Sequence, residues 1–142
     1  MKALLRFGIA LWLALAAGIA GSADAPPALV VIAHAKLDGV DAPTLLRLYQ
    51  GRAVEVNGTP VTVVNLAPGH PLRAQFLARV LNQDEERYIA YWTVRRHVGK
   101  GIPPRQFATP SEVIEFVQAT PGGMGYIAVT DLRPGLNVVL RP

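Results

Sequence analysis

Ala28 to Ala33 (ALVVIA) is an unbroken apolar, β-branched run without polar alternation, the pattern of a strand covered on both faces. It predicts a strand inside a central sheet. Further on, Asp41 suits an N-cap, Pro43 a first turn, and Leu45, Leu46, Leu48 and Tyr49 form an apolar stripe that Gly51 ends, so a helix is expected there. Asn57-Gly58-Thr59-Pro60 is a turn signal, and Val61 to Val64 reads as a second strand.

The stretch from Val61 to Leu81 organises the rest: a strand, a tight loop (Asn65-Leu66-Ala67-Pro68-Gly69-His70) and a helix from Pro71. Leu72, Phe76, Leu77, Val80 and Leu81 recur at helical spacing, which leaves Arg73, Gln75 and Arg79 for the other face. A further helix is expected from near Asn82 to Asp84, with Glu85 and Glu86 in its first turn, through Tyr88, Ile89 and Trp92 to a basic end at Arg95-Arg96-His97. Negative charge at the start and positive charge at the end suit the helix dipole. Gly99-Lys100-Gly101-Ile102-Pro103-Pro104-Arg105 excludes both helix and central strand. Ser111, or Thr109 followed by Pro110, caps a short helix through Val113, Ile114, Phe116 and Val117, which Pro121-Gly122-Gly123 ends. Met124 to Val129 and Leu136 to Leu140 predict two more strands. The order of elements predicts an α/β fold, a small mixed sheet covered by helices.

Composition changes this picture mainly at the N-terminus. Met1 to Ala23 combines Lys2 and Arg6, an apolar run from Phe7 to Ala20, and the small residues Gly21, Ser22 and Ala23, the layout of a secretory signal peptide. The apolar run is shorter than the ~20 residues that span a bilayer. Cleavage is expected after Ala23, since cutting after Ala25 would leave Pro26 first. Residues 24–142 then make one domain of about 119 residues, enough for its own core. With no cysteine there is neither a disulfide framework nor a thiol nucleophile, which suits a periplasmic protein. The net charge of +4 falls to +2 once Lys2 and Arg6 are set aside, too little to point to nucleic acid, and no membrane contact is expected after cleavage.

The chain offers few parts for catalysis. Outside the leader the serines reduce to Ser111, a candidate cap, and no Gly-x-Ser-x-Gly turn accompanies His34, His70 and His97. The histidines lack metal-ligand spacing, and Asp84-Glu85-Glu86 reads as a solvated helix start. No enzyme, metal or cofactor is expected. Two anion-binding candidates remain. One is the loop before Pro71, where Gly69, His70 and Arg73 meet a helix N-terminus, although Pro71 itself removes one N–H from that cradle. The other is the basic group of Arg95, Arg96, His97, Lys100 and Arg105, equally suited to a solvated surface.

Several strings together resemble the periplasmic phosphate-binding protein of phosphate ABC transporters. Leu45-Leu46-Arg47-Leu48-Tyr49-Gln50-Gly51-Arg52 resembles that family's helix ending in Ile-Phe/Tyr-x-Gly-Lys, and Val117 to Tyr126 (VQATPGGMGY) resembles its Val-x-x-x-Pro-Gly-Ala-Ile-Gly-Tyr stretch. Tyr91-Trp92 and Gly99-x-Gly101-x-Pro103-Pro104 are similar to its short, single-lobe relatives. The resemblance runs from about Val30 to Val129 and implies one lobe of a type 2 periplasmic binding protein. Such proteins close two lobes on a tetrahedral oxyanion. The loop corresponds to the family's Arg-x-Ala-Asp-Gly-Ser-Gly-Thr phosphate loop, but Asn65 stands for Arg, Pro68 for Asp, His70 for Ser and Leu72 for Thr, and only Ala67 and Gly69 match. The resemblance implies a solute-binding-like protein with weak or altered binding of an oxyanion such as phosphate at Gly69, His70 and Arg73, helped by Lys100 or Arg105. The alternative is a ligand-free periplasmic interaction module that kept only the scaffold and meets a periplasmic or transporter protein through its basic loop or through aromatics such as Tyr91.

Overall fold

The computed structural model describes residues 27–142, so the signal peptide expected at 1–23 lies outside the described residues. Strand β1 (Leu29–Ala33) is buried along its whole length, as its unbroken apolar run requires. Helix α1 (Ala42–Tyr49) starts where Asp41 caps it, the carboxylate accepting from the Thr44 N–H at 2.8 Å. Two short strands, β2 (Glu55–Val56) and β3 (Thr59–Pro60), flank Asn57 and Gly58, whose φ of 48° and 80° suit a two-residue hairpin turn. The sequence signal had predicted the turn but not the ribbon around it.

Strand β4 (Thr62–Leu66) leads into α2 (Pro71–Arg79), and α3 (Glu85–His97) follows with Asp84 as its cap. A three-residue strand, β5 (Arg105–Phe107), was hidden by the loop signals around it, and α4 (Pro110–Ala119) then opens on a capping box. There Thr109, not Ser111, is the cap, with Glu112 answering back to the Thr109 N–H at 3.0 Å. Strand β6 (Gly123–Ala128), a short 3₁₀ turn at Val129–Asp131 and β7 (Asn137–Leu140) complete the fold.

The sheet runs β5-β4-β6-β1-β7, with β4 parallel to β5 and β6 and β1 antiparallel to β6 and β7. It is a small mixed sheet with helices on both faces. Gly125 of β6 faces α4, because a Cβ there would come within 2.6 Å of Val113 Cγ1. The next residue, Tyr126, points the other way and stacks on Phe76 of α2 with ring centroids 4.0 Å apart, while Tyr49 of α1 meets the same Phe76 ring at 4.7 Å. Alternation along one strand therefore divides the helices between the two faces. Among the described residues no helix is long and apolar enough to cross a membrane.

Gly122 joins α4 to β6 at φ +74°, and a Cβ there would fall 2.0 Å from the Pro60 carbonyl oxygen. Strain in the left-handed region and a clash against backbone act together, so Gly122→Ala should destabilise the fold by about 3 kcal/mol. Urea unfolding will read this as a lower midpoint at unchanged slope.

Candidate functional site

Strand β4 runs two residues past the end of its apolar run, so Asn65 and Leu66 belong to the sheet and the loop shortens to residues 67–70. Asn65 is a buried polar group with each side-chain atom engaged. Its Oδ1 accepts from the Tyr126 hydroxyl and from the Leu66 N–H at 3.0 Å, and its Nδ2 donates to the Tyr88 hydroxyl at 3.3 Å. In the loop itself, the Ala67 N–H donates to the Phe107 carbonyl of β5 at 2.8 Å and the His70 N–H to the Ala67 carbonyl at 3.1 Å. His70 is the cap of α2: its Nδ1 accepts from the Leu72 N–H at 3.1 Å, and its carbonyl takes the Arg73 and Ala74 N–H groups. Pro68 and Pro71 have no N–H to offer. Within this cradle only the Gly69 N–H remains, on an exposed residue at φ +89°.

Arg73 corrects the expectation that it would join Gln75 and Arg79 on a solvated face. Its side chain is 1% exposed, and its guanidinium makes a two-pronged contact with Glu85, Nε to Oε2 at 2.8 Å and Nη2 to Oε1 at 2.6 Å. Nη1 donates to the Leu66 carbonyl at 2.9 Å, and the group lies 5.3 Å from the Tyr88 ring centroid. The spacing carried the signal: Arg73, Phe76, Leu77 and Val80 stand at i, i+3, i+4 and i+7, one stripe of the helix. Its buried charge is tolerable because Glu85, in the first turn of α3, is held in register to receive it.

The other basic residues divide. Arg95 is spent internally, donating through Nη2 to the carbonyls of Gly51 at 3.2 Å and Lys100 at 3.1 Å while lying over the Tyr91 and Trp92 rings. Tyr91 likewise is half-buried, its hydroxyl donating to the Gln50 carbonyl at 2.8 Å, and the Trp92 Nε1 donates to the Tyr49 carbonyl at 3.2 Å. Three side chains of α3, Tyr91, Trp92 and Arg95, thus satisfy carbonyls at the C-terminal end of α1. Tyr91 is therefore not the exposed aromatic that the sequence suggested. Lys100 and Arg105 are exposed, Arg105 resting 4.7 Å above the Phe107 ring at the β5 position that pairs with Val64, while the Lys100 backbone carbonyl accepts from Arg95.

Beside the loop runs an open groove of about 530 Å³ that sequence reasoning did not find. It is lined by buried Arg73, Tyr88 and Trp92, by Ile89, Thr93, Arg96 and His97 of α3, and by Pro68, Pro103 and Gln106. Its residues come from segments far apart in sequence, which is why no local motif announced it.

This arrangement of strands and helices is an α/β fold shared with part of several phosphate transport substrate-binding proteins of known structure. The chain is similar to an ABC-type phosphate transport receptor from Vibrio cholerae (11% identity, TM-score 0.61), to PstS from Borrelia burgdorferi (18%, 0.60) and to a putative phosphate ABC transporter substrate-binding protein with bound phosphate from Clostridium perfringens (14%, 0.61). In each case 80% of this chain is covered, and it spans only 45%, 46% and 44% of the respective structures, less than half their length. The sequence matches no protein-family model and no curated protein.

Two tests probe the polar network. Glu85→Ala strands a buried guanidinium and should cost about 3 kcal/mol, the lower end for a broken buried pair because Glu85 keeps 35% of its surface in water. The double variant Arg73→Met, Glu85→Gln should recover most of that loss in urea unfolding. The second test is alkaline titration. Burial raises the phenols of Tyr49, Tyr88 and Tyr126 above their ordinary value, most strongly at Tyr49 and Tyr126 and with partial relief at Tyr88 from its hydrogen bond to Asn65. A raised folded value means that these neutral phenols stabilise the fold fully below about pH 10 and that the contribution disappears as pH climbs toward the folded values. Phenolate absorbance of these three residues should therefore appear together with unfolding rather than as a reversible titration of the folded chain.

Proposed function

We propose that this chain is an exported, non-catalytic periplasmic domain, residues 24–142 after loss of a signal peptide at 1–23, related in role to the substrate-binding component of phosphate ABC transporters but binding free oxyanions weakly. The observation that carries this reading is the internal use of the loop. Arg73 is neutralised by Glu85 and His70 occupies the cap of α2, so an incoming phosphate meets the Gly69 N–H and little else. A single charge-assisted hydrogen bond contributes about 1.5 to 3 kcal/mol net, far from the roughly 8 kcal/mol of a micromolar complex. Lys100 and Arg105 add attraction across exposed, screened positions.

Calorimetric titration with phosphate and sulfate tests this directly: dissociation constants of about 1 mM or weaker are expected, with further weakening when Lys100 and Arg105 are both changed to alanine. Submicromolar phosphate binding would overturn the reading. A second reading, an interaction module that kept only the scaffold, is favoured by Lys100 and Arg105 standing exposed with no acidic ion-pair partner among the described residues. It predicts no heat with any oxyanion, and a purified transporter or periplasmic partner whose binding is lost in the same double variant.

A further inference from the structure

We infer that the groove along α3 is a binding site for a small amphiphilic anion, a carboxylate or sulfonate carried on an apolar body. The inference does not rest on the loop binding anything, since the two regions share only Pro68 and Arg73. A cavity of about 530 Å³ is the size that small-molecule sites occupy.

The chemistry is ordered along one strip of α3. Tyr88, Ile89, Trp92, Thr93, Arg96 and His97 stand at i, i+1, i+4, i+5, i+8 and i+9, neighbours on one helical face that runs about 13 Å at 1.5 Å per residue. Its middle is apolar: Trp92 is only 6% exposed, Ile89 is left 48% exposed, and Pro68 and Pro103 also line the groove. Ile89 thus adds accessible apolar surface to the groove beside the buried Trp92.

The two ends of the strip differ. At the Tyr88 end Arg73 is compensated by Glu85. At the other end Arg96 and His97 are exposed and belong to no ion pair among the described residues, where the pairs are Arg73–Glu85 and Arg87–Asp84. No carboxylate lines the groove. The helix C-terminus carries about half a negative charge, which opposes an anion there, but the full charge of Arg96 alone exceeds it. Charge complementarity thus sets the polarity of the ligand: the anionic head at Arg96 and His97, the apolar body over Trp92 and Ile89. Inorganic phosphate lacks the body and would gain nothing from the apolar middle.

The experiment uses the full chain carrying Trp12→Phe, which leaves Trp92 as the sole tryptophan. Decanoate should change Trp92 fluorescence saturably, while decanol, with the same body and no charge, should bind at least about tenfold more weakly. Arg96→Ala with His97→Ala should weaken decanoate by at least about tenfold, with little effect on decanol or on the unfolding midpoint, because both side chains are exposed. Lys100→Ala should leave the titration unchanged, and excess inorganic phosphate should not compete. Equal binding of decanoate and decanol, indifference to the Arg96/His97 double variant, or no saturable signal would overturn the proposal. So would a concentration-dependent dimer abolished by Ile89→Asp, which would assign the groove to a second copy. Because phosphate affinity is read separately, failure here leaves the reading of the loop untouched, and the reverse holds equally.

Discussion

A guanidinium buried beneath the end of β4 is the constraint on which the rest of this structure depends. Arg73, on α2, is held by the Leu66 carbonyl of β4 and by the Tyr88 ring and both oxygens of Glu85 on α3. Burying an uncompensated charge would cost several kcal/mol, so the start of α3 has to be where Glu85 is. Once α3 is fixed there, Tyr91, Trp92 and Arg95 fall against the end of α1 and satisfy the carbonyls of Tyr49, Gln50 and Gly51. Gly51 completes the fit, since a Cβ at that position would lie 2.8 Å from the Trp92 ring. One ion pair thus links the sheet end, α2, α3 and α1.

The same network accounts for the side chains of the loop. The motif that this stretch resembles has an arginine where this chain has Asn65 and a serine where it has His70. Here Asn65, at the arginine position, is drawn into hydrogen bonds with Tyr88 and Tyr126, and His70 caps the helix that a hydroxyl would open. The replacements are consistent with one another: polar groups that could face outward now satisfy the interior. A fold shared with lobes of phosphate-binding proteins therefore coexists with a loop whose donors are mostly engaged.

Much of the fold was legible because it follows from local chemistry. The apolar run of β1, the cap Asp41, and the start of α3 near Asn82 to Asp84 with its charged ends each follow from a few neighbouring residues, and the structure has them where the sequence suggested. What escaped depended on distant partners. Strand β5 exists because β4 offers it a parallel edge, and its own loop-like sequence gives no sign of that. Asn65 and Leu66 read as loop because a buried asparagine is acceptable only where two tyrosine hydroxyls from other elements reach it. Arg73 was assigned outward by residue type although its spacing with Phe76 and Leu77 placed it inward. Of the proposed ligand residues, Gly69, Lys100 and Arg105 are exposed, His70 is partly exposed, and only Arg73 is buried.

The shape of β5 has a consequence for how the molecule behaves among its own copies. An open sheet rim displays unpaired N–H and C=O groups that can recruit another chain. Here that rim is three residues long, it follows Pro103-Pro104, and Arg105 opens it with a positive charge. Two prolines remove the donors through which an added strand would extend the ladder, and the charge repels an identical rim. The opposite rim, β7, is four residues long and follows Pro134-Gly135. Both edges are therefore poor templates for edge-to-edge stacking, a colloidal safeguard built from the same proline-rich segments that make these loops hard to read.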